Sequence, residues 1–364
     1  MIELSNIIIE QIRKEGPISF RDFMEKSLYY PGLGYYTSAK EHIGKEGDFY
    51  TSSSLTPAFG AMIAKQLQQL WHITGETYFT IVEFGAGTGL LCRDILDFFK
   101  AFPELYQHIN YCIIEKSPVM RERQKKHLYE KVSWYPSVAA LGEFTGCVLS
   151  NEVVDNFSVH QVVMEDELME IFVDHSDDAF VEVKKPASEP IKQYFKELEV
   201  KFQFGFRTEI NLEAITWLQE ISLYLKKGFV ITIDYGALSE ELYSQRKNSG
   251  TLLCFKNHTI NDTPFKDIGK QDITSHVNFS ALAHWGDKCG LALSGYTTQA
   301  NFLLALGFKA YLSNTILSGE NILAAVKKES FISRQLLLEM GTKFKVLVQR
   351  KGIPHQPLLG FSLT

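Results

Sequence analysis

The chain has 364 residues, of which 45% are hydrophobic and 22% are charged, a balance typical of globular proteins. It contains 37 Lys and Arg against 43 Asp and Glu, which gives a formal net charge of −6. Duplex DNA held through its phosphates requires a broad basic surface. The composition therefore argues against DNA as a partner.

The five cysteines are scattered and form no C-x-x-C pair, so we expect neither a structural metal nor a disulfide framework. No run approaches the roughly 20 apolar residues that cross a bilayer, and the N-terminus lacks the basic start of a secretory signal. We therefore expect a soluble protein of a reducing compartment, without membrane insertion. The lack of a transit peptide favours the cytoplasm over the mitochondrial matrix.

The N-terminal region combines helical patterns with an aromatic loop. Apolar residues recur at helical spacing over Ile2–Lys14, and Gly16-Pro17 ends that pattern. A second helix is predicted to begin at Ser19. The stretch Tyr29–Gly60 is rich in glycine and aromatic residues, and its length and composition predict an ordered functional loop.

From Thr80 onward, short apolar runs alternate with helical patterns. The run TIVEF leads through a glycine turn into the helical pattern LLCRDILDFFK, and later apolar runs are YCIIE, VSWY, CVLS, GFVITIDYG and FKVLVQR. Apolar strands that alternate with helices indicate a parallel sheet covered on both faces. The sequence thus predicts an α/β protein with a doubly wound, Rossmann-like core.

A segment that alternates like antiparallel strands, HQVVMEDELMEIFVDHSDDAFVEVKK, interrupts this core. We predict four parts of the chain: an N-terminal helical and aromatic cap over 1–75, the first half of the core over 76–158, an insertion of strands and helices over 159–227, and the second half of the core over 228–364. The insertion would recognise substrate or partner, and an active-site loop is expected over 236–279.

The glycine turn carries the clearest chemical signal. Gly85, Gly87 and Gly89 follow the first core strand, with Glu83 two residues before them. Glycines let the backbone turn sharply and approach a ligand closely. A dinucleotide fold requires a third glycine at position 90, where this chain has Leu. The spacing is instead typical of class I methyltransferases that bind S-adenosylmethionine (SAM), with Glu83 directed to the amino-acid end of SAM.

Glu115 ends the second core strand and supports the same interpretation. An acid at that place can accept hydrogen bonds from both ribose hydroxyls of a nucleoside cofactor. The alternative is a solvated carboxylate at the end of a strand.

Seven pieces of the sequence, taken in order, extend the interpretation to most of the chain: YYPGLGYYTS, GKEGDFYTSS, VEFGAGTG, SNEVVDNFSVHQ, DYG, GTLLCF and DITSHVNF. Together they resemble the MidA-like SAM-dependent methyltransferases, from about Ile18 to Val348. That family includes the mitochondrial complex I assembly factor, which is a protein-arginine methyltransferase. The resemblance implies a class I fold, SAM as cofactor, and an arginine on a protein substrate, such as a respiratory complex I subunit, as acceptor.

Further residues are candidates for the cofactor site. Gly47, Asp48 and Phe49 could fold over SAM and exclude water, with Asp48 as a turn former as the alternative, and Asn151 would join the residues that bind SAM. The chain departs from the common family pattern at four positions, none of which is a proposed reactive group: Ala86, Ser158, Leu212 and Asn278.

Glu152 and Asp155 are the candidate catalytic acids, because they follow a buried strand at the edge of the sheet where ligands bind. Paired carboxylates can bind a planar guanidinium, hold one nitrogen in line with the SAM methyl, and take up the released proton. Alternatively, Glu152 binds only the SAM ammonium or caps a helix, and Asp155 is a helix cap. His276 would orient an acid or act as a base, or be a structural hydrogen-bond donor, and Asp272 is expected to be an N-cap.

Other interpretations stay open at this point. Tyr29, Tyr30, Tyr35 and Tyr36 could form an aromatic cage, although packing is favoured. The acceptor could be a small molecule, a lipid or RNA rather than a protein. The chain could also be a SAM-binding assembly chaperone without turnover, or, more remotely, a nicotinamide oxidoreductase. The sequence leaves the oligomeric state open.

Overall fold

The chain divides into two units, each built from three separate segments. A computed structural model describes residues 3–38, 51–128, 131–316 and 322–363. The smaller unit consists of Met1–Phe49, Val154–Trp217 and Ala237–Leu282, and the larger unit of Tyr50–Val153, Leu218–Gly236 and Ala283–Thr364. The four-part division expected from the sequence stays a prediction.

The strands and helices have the following bounds. The strands are β1 (Ile18–Ser19), β2 (Phe79–Phe84), β3 (Ile109–Ile114), β4 (Val132–Tyr135), β5 (Phe144–Asn151), β6 (His160–Met164), β7 (Leu168–Ser176), β8 (Ala179–Pro186), β9 (Arg207–Ile210), β10 (Leu225–Ala237), β11 (Leu253–Lys256), β12 (Thr259–Asn261), β13 (Asp272–Thr274), β14 (Val277–Asn278), β15 (Ala292–Thr298) and β16 (Phe344–Lys351). The helices are α1 (Leu4–Glu15), α2 (Phe20–Tyr29), α3 (Ser52–Leu55), α4 (Pro57–Thr74), α5 (Leu90–Phe99), α6 (Pro103–His108), α7 (Pro118–Lys125), α8 (Val138–Leu141), α9 (Glu189–Glu197), α10 (Leu212–Tyr224), α11 (Ser239–Leu242), α12 (Phe279–Lys288), α13 (Gln299–Ala305), α14 (Phe308–Ile316), α15 (Ile322–Ser333) and α16 (Met340–Lys343).

The larger unit is built on one sheet with the strand order β15-β16-β10-β5-β2-β3-β4. The five strands from β10 to β4 are parallel, whereas β16 runs antiparallel to β10 and β15 runs antiparallel to β16. The parallel strands β2, β3 and β5 are almost fully buried, as their continuous apolar sequences require. This arrangement is the α/β, Rossmann-like core that the sequence predicts, to which the structure adds an antiparallel edge.

Helices α4 and α5 supply much of the apolar packing in this unit. Thr56 caps α4 by accepting a hydrogen bond from the Ala58 amide, and Pro57 occupies the first turn, where its missing amide hydrogen has no cost. Phe59 and Leu67 of α4 and Ile95 of α5 are completely buried in the core. Each such side chain contributes roughly 1.5–3 kcal/mol through burial. The packed core fixes the carboxyl ends of the strands, where the candidate residues lie.

The smaller unit contains two sheets and the first two helices. One sheet has the order β1-β7-β6-β9 with β8 paired to β7, and the other has the order β12-β11-β13. The pairs β6–β7 and β7–β8 are antiparallel, as the alternating sequence predicts. Helix α2 begins at an N-cap, Ser19, whose hydroxyl accepts a hydrogen bond from the Asp22 amide at 3.1 Å. In the described part of the chain, no helix is long and apolar enough to cross a membrane.

Candidate active site

The glycine turn joins β2 to α5 in a conformation that favours glycine. Gly85, Gly87 and Gly89 have φ angles of 58°, 52° and 82°, in the left-handed region. A Cβ added to Gly85 would lie 3.0 Å from Val153 Cγ2, and one added to Gly89 would lie 2.9 Å from Leu128 Cδ1. The turn is therefore constrained both by its backbone conformation and by its neighbours.

Glu83 is buried beneath this turn and has a partner that the sequence analysis missed. The Tyr111 hydroxyl donates a hydrogen bond of 2.8 Å to Glu83 Oε2. Burial raises the pKa of Glu83 to about 7, although the Tyr111 hydrogen bond opposes this change. The predicted contact of Glu83 with the amino-acid end of SAM stays a prediction.

Glu115 follows β3 at the same edge of the sheet. Its Oε1 accepts a hydrogen bond from the Ser117 amide at 2.9 Å, and its Oε2 accepts one from Gln124 Nε2 at 3.0 Å. Burial raises the pKa of Glu115, and these two hydrogen bonds oppose the change. A carboxylate oxygen can accept more than one hydrogen bond. The carboxylate is thus oriented while each oxygen keeps acceptor capacity, which the predicted ribose contact would need.

Glu152 lies directly after β5, next to Asn151. Its φ is 56°, a left-handed conformation that is uncommon for a residue with a side chain. Glu152 Oε1 accepts hydrogen bonds from the Ser52 amide at 2.8 Å and from Asn151 Nδ2 at 3.3 Å. Burial of the carboxylate raises the pKa of Glu152 to about 7, and these hydrogen bonds oppose the change. The sequence predicted an acid at this place but not its strained backbone.

Two groups of the neighbouring strand β10 hold the turn that follows β5. The Glu152 amide donates to the Ile233 carbonyl of β10 at 2.9 Å, and the Val153 amide donates to Asp234 Oδ2 at 3.2 Å. Asp234 belongs to the DYG piece and is completely buried. A buried carboxylate that accepts backbone hydrogen bonds is a stable anchor. The geometry of the turn thus depends in part on Asp234, which the sequence analysis did not name as a site residue.

Ser52 connects Glu152 to the C-terminal part of the larger unit. The Ser52 hydroxyl donates to Gln299 Oε1 at 3.3 Å, and Gln299 Nε2 lies 3.5 Å from the Leu336 carbonyl. Leu336 is part of a π-helical segment, Arg334–Glu339. Both Ser52 and Gln299 are completely buried. The network was not predicted, because its members are far apart in the sequence.

The side-chain oxygen of Asn151 bears on cofactor binding. Among the described residues, none provides a hydrogen bond to its buried Oδ1 atom. A buried carbonyl oxygen without a partner has a substantial desolvation cost. Together with the glycine turn and the Glu115 carboxylate, this acceptor fits a cofactor that brings a cationic amine and ribose hydroxyls.

The second predicted acid lies in the other unit, because the boundary falls between Val153 and Val154. Asp155 is buried in a short 3-10 turn, and its carbonyl accepts a hydrogen bond from the Ser275 amide at 3.0 Å. The structure thus associates Asp155 with the DITSH piece. A catalytic role for Asp155 stays a prediction.

Asp272 is not an N-cap, contrary to the expectation from the sequence. It lies in β13, and its carboxylate accepts hydrogen bonds from the Tyr36 hydroxyl at 2.9 Å and from Asn156 Nδ2 at 3.1 Å. Its partners are supplied by distant segments of the same unit rather than by a following helix. The rings of Tyr36 and Tyr29 stack with their centroids 5.6 Å apart, and Tyr35 is completely buried. These positions agree with packing of the tyrosines rather than with an aromatic cage.

His276 lies close to Lys247, with 3.0 Å between Lys247 Nζ and His276 Nδ1. A lysine ammonium can only donate, so Nδ1 is the acceptor and the ring hydrogen of the neutral imidazole is on Nε2. Whether His276 acts in catalysis stays a prediction. Gly47, Asp48 and Phe49 lie outside the described residues.

The fold and this arrangement of glycine turn and strand-end acids define a class I, SAM-dependent methyltransferase. The chain belongs to the MidA-like family, whose model, "Putative S-adenosyl-L-methionine-dependent methyltransferase", matches residues 62–297. The predicted family, fold class and cofactor are therefore confirmed.

Solved structures and characterised relatives agree with this assignment. A protein from Burkholderia thailandensis, solved bound to S-adenosyl-homocysteine, is 30% identical, with a TM-score of 0.89 over 99% of this chain and 94% of that one. The protein arginine methyltransferase NDUFAF7 homologue of Drosophila melanogaster, named mitochondrial, is 25% identical over 97% of this chain and 87% of its own length. Human NDUFAF7 is 24% identical over 97% of this chain and 84% of its own length.

Proposed function

We propose that this methyltransferase methylates an arginine side chain of a protein partner and that Glu152 receives the guanidinium. The observation that carries the proposal is the state of Glu152: a left-handed φ of 56°, a 2.8 Å hydrogen bond from the Ser52 amide, and a pKa raised to about 7 by burial. Strained backbone at a side-chain-bearing residue costs on the order of 1–3 kcal/mol and is concentrated at functional sites. A carboxylate held in this way suits a cationic hydrogen-bond donor.

The chemistry needed from the chain is mainly alignment. A guanidinium presents five hydrogen-bond donors in a plane and stays protonated at physiological pH. Glu152 supplies acceptors and a counter-charge, which hold one nitrogen in line for transfer. SAM supplies the methyl group, which leaves its sulfur as the new bond to nitrogen forms. The surplus proton on that nitrogen passes to a carboxylate, for which Glu152 is suited because its pKa is near 7.

Asp155 and His276 have separate proposed roles. Asp155 would be the second carboxylate of the guanidinium site, and His276 would orient an acid or act as a base. The contact between Lys247 and His276 Nδ1 supports the orienting role, because it places the ring hydrogen on Nε2, which can donate it to an acid. Single substitutions of these residues test each role independently of Glu152.

Most of the proposed cofactor residues lie in the larger unit. Gly85, Gly87 and Gly89 would allow close approach of SAM, Glu83 would serve its amino-acid end, and Glu115 would accept from the ribose hydroxyls. The buried Oδ1 of Asn151 supports a contact with the SAM ammonium, since a cationic donor would satisfy it. Gly47, Asp48 and Phe49 are proposed to cover the cofactor.

The proposed acceptor is a protein that presents an arginine, with a respiratory complex I subunit as the specific candidate. The names of the Drosophila and human relatives, both protein arginine methyltransferases, support arginine as the methylated residue. The strands of the 159–227 insertion are proposed to recognise the partner. A cytoplasmic location is proposed, with the mitochondrial matrix as the alternative; the relatives are named mitochondrial.

The test is transfer of labelled methyl from SAM into proteins of a matching cell extract, followed by hydrolysis and separation of methylated amino acids. We expect labelled methylarginine in one protein band. Glu152→Gln, which keeps the size of the side chain, should lower the rate by about 100-fold or more, while its affinity for S-adenosyl-homocysteine stays within about threefold of the wild type.

Glu143→Gln is the matched control, because Glu143 is exposed and precedes the opposite end of β5. It should transfer methyl at the wild-type rate. Label on another residue type, or full activity of Glu152→Gln, would contradict the proposal. Binding of S-adenosyl-homocysteine without protein label would favour a small-molecule or RNA acceptor, or a SAM-binding chaperone.

A further inference from the structure

Gln124 occupies a position that connects three parts of the cofactor-binding half of the larger unit. It lies in α7 and is completely buried. Its Nε2 donates to the Gly87 carbonyl at 3.0 Å and to Glu115 Oε2 at 3.0 Å, and its Oε1 accepts from Trp134 Nε1 at 3.0 Å. One amide thus contacts the glycine turn, the acid after β3 and a side chain of β4.

The orientation of this amide is determined by its partners. A backbone carbonyl such as that of Gly87 can only accept, an ionised carboxylate such as that of Glu115 can only accept, and the Trp134 indole can only donate. Rotating the amide by 180° would place two acceptors against its oxygen and a donor against its nitrogen. All three hydrogen bonds are therefore satisfied in one orientation, and the Glu115 carboxylate is fixed relative to the turn.

Two further contacts restrict the same region. The Ser117 amide holds the other carboxylate oxygen of Glu115 at 2.9 Å, and Arg121 Nη2 donates to the Glu115 carbonyl at 3.2 Å. Of the three residues that hold Glu115 here, Gln124 is the one that also donates a hydrogen bond to the glycine turn. A hydrogen-bonded carboxylate with one rotamer loses less entropy when it binds a ligand than a mobile one.

We propose that Gln124 is a positioning residue for the cofactor ribose, which sets the Glu115 carboxylate at a fixed place relative to the Gly87 backbone. This inference rests on the role of Glu115 in the proposed function. It does not depend on the identity of the methyl acceptor. Loss of Gln124 should therefore weaken the recognition of ribose hydroxyls in particular.

The test compares the binding of S-adenosyl-homocysteine and its 2′-deoxy analogue by calorimetry, without any acceptor. The wild type should prefer the hydroxylated ligand by about 10-fold or more, as expected for a hydrogen bond to a carboxylate. Gln124→Met keeps the length of the side chain and removes both polar atoms. This variant should bind S-adenosyl-homocysteine roughly 10-fold more weakly, and its preference for that ligand over the 2′-deoxy analogue should fall to about threefold or less.

Gln66→Met is the matched control, because Gln66 is also a completely buried glutamine and its hydrogen bonds go to Gln69 and Gly360. Gln66→Met should bind S-adenosyl-homocysteine and the 2′-deoxy analogue with the affinities of the wild type. If Gln124→Met does not fold, Trp134→Phe, which removes the indole donor to Gln124 and keeps an aromatic ring, should still reduce the preference for the hydroxylated ligand. An unchanged preference in the folded variant would overturn the proposal. No preference in the wild type would overturn the role of Glu115 and, with it, that of Gln124, while leaving arginine methylation untouched.

Discussion

The backbone amide of Ser52 donates a hydrogen bond of 2.8 Å to Glu152 Oε1, across 100 positions of the sequence. Ser52 is the first residue of α3, directly after the N-cap Thr51, so its amide has no partner within the helix. The carboxylate therefore satisfies a backbone donor while the donor favours the charged form of the carboxylate. Without this contact, burial would raise the pKa of Glu152 further.

Ser52→Pro tests the contact directly, because proline lacks the amide hydrogen and is tolerated at the first helical position. The unfolding free energy of the wild type should fall as the pH rises towards about 7, the pKa of Glu152. In Ser52→Pro this fall should extend to higher pH, since the charged form loses a donor. Urea unfolding from pH 5 to pH 9 measures the pH range over which the unfolding free energy falls in each protein.

Ser52→Ala is the control for this experiment, because it keeps the amide hydrogen and removes the hydroxyl. The Ser52 side chain also lowers the pKa of Glu152, but less than the amide does. Ser52→Ala should therefore move the pH range over which the unfolding free energy falls by less than Ser52→Pro does. An equal or larger shift for Ala would show that the amide is not the main donor.

The strands and the glycine turn could be predicted because each depends on local sequence. The run VSWY matches β4 over Val132–Tyr135, and the turn after TIVEF is found between β2 and α5. Strand β15 was missed, because ALSGYTT has little apolar character and much of the strand is only half-buried. Periodicity identifies elements that bury a continuous apolar run and gives little signal for such an edge.

The partners of the candidate acids could not be predicted, because they depend on tertiary structure. The Tyr36 hydroxyl that binds Asp272 is 236 residues away in sequence, so the acid was assigned to a local cap instead. Gln124 is nine residues from Glu115, but its role depends on how α7 packs beside the glycine turn. The sequence placed acids at strand ends and left open what holds them.

Glu152→Gln should stabilise the ligand-free protein at alkaline pH. The folded-state pKa of Glu152 is about 7, against 4.5 ordinarily, so the contribution of this group is fully present below pH 4.5 and is lost as the pH rises to about 7. Glutamine has no charged form and avoids this loss. At pH 8 the variant should be more stable by on the order of 2–3 kcal/mol, and at pH 4.5 nearly equal. Urea unfolding of the variant and the wild type at both pH values measures this difference. Equal stability of the two proteins at pH 8 would contradict the raised pKa of Glu152.

Tyr111→Phe should destabilise the protein in a pH-dependent way. It removes the 2.8 Å donor to Glu83 and leaves a buried carboxylate without that hydrogen bond, at a cost of roughly 1–3 kcal/mol. The pKa of Glu83 is already about 7, so its charge is present mainly above neutral pH. The loss should be larger at pH 8 than at pH 5, as measured by urea unfolding. Tyr135→Phe in β4 is the control, and an equal loss for Tyr111→Phe at both pH values would count against the Glu83 contact.

Gly89→Ala tests the glycine turn, with Gly142→Ala as its control. Their φ angles are nearly the same, 82° and 84°, but ψ is 4° at Gly89 and −164° at Gly142, a region essentially restricted to glycine, so an added Cβ should strain the backbone more at Gly142 than at Gly89. The surroundings differ: a Cβ at Gly89 would lie 2.9 Å from Leu128 Cδ1, whereas nothing lies within 4 Å at Gly142. Both variants should lose stability in urea unfolding, but Gly89→Ala alone should lose affinity for S-adenosyl-homocysteine, by about 10-fold in calorimetry. An equal loss of affinity in both would mean that backbone strain, rather than the place of Gly89 in the turn, governs binding.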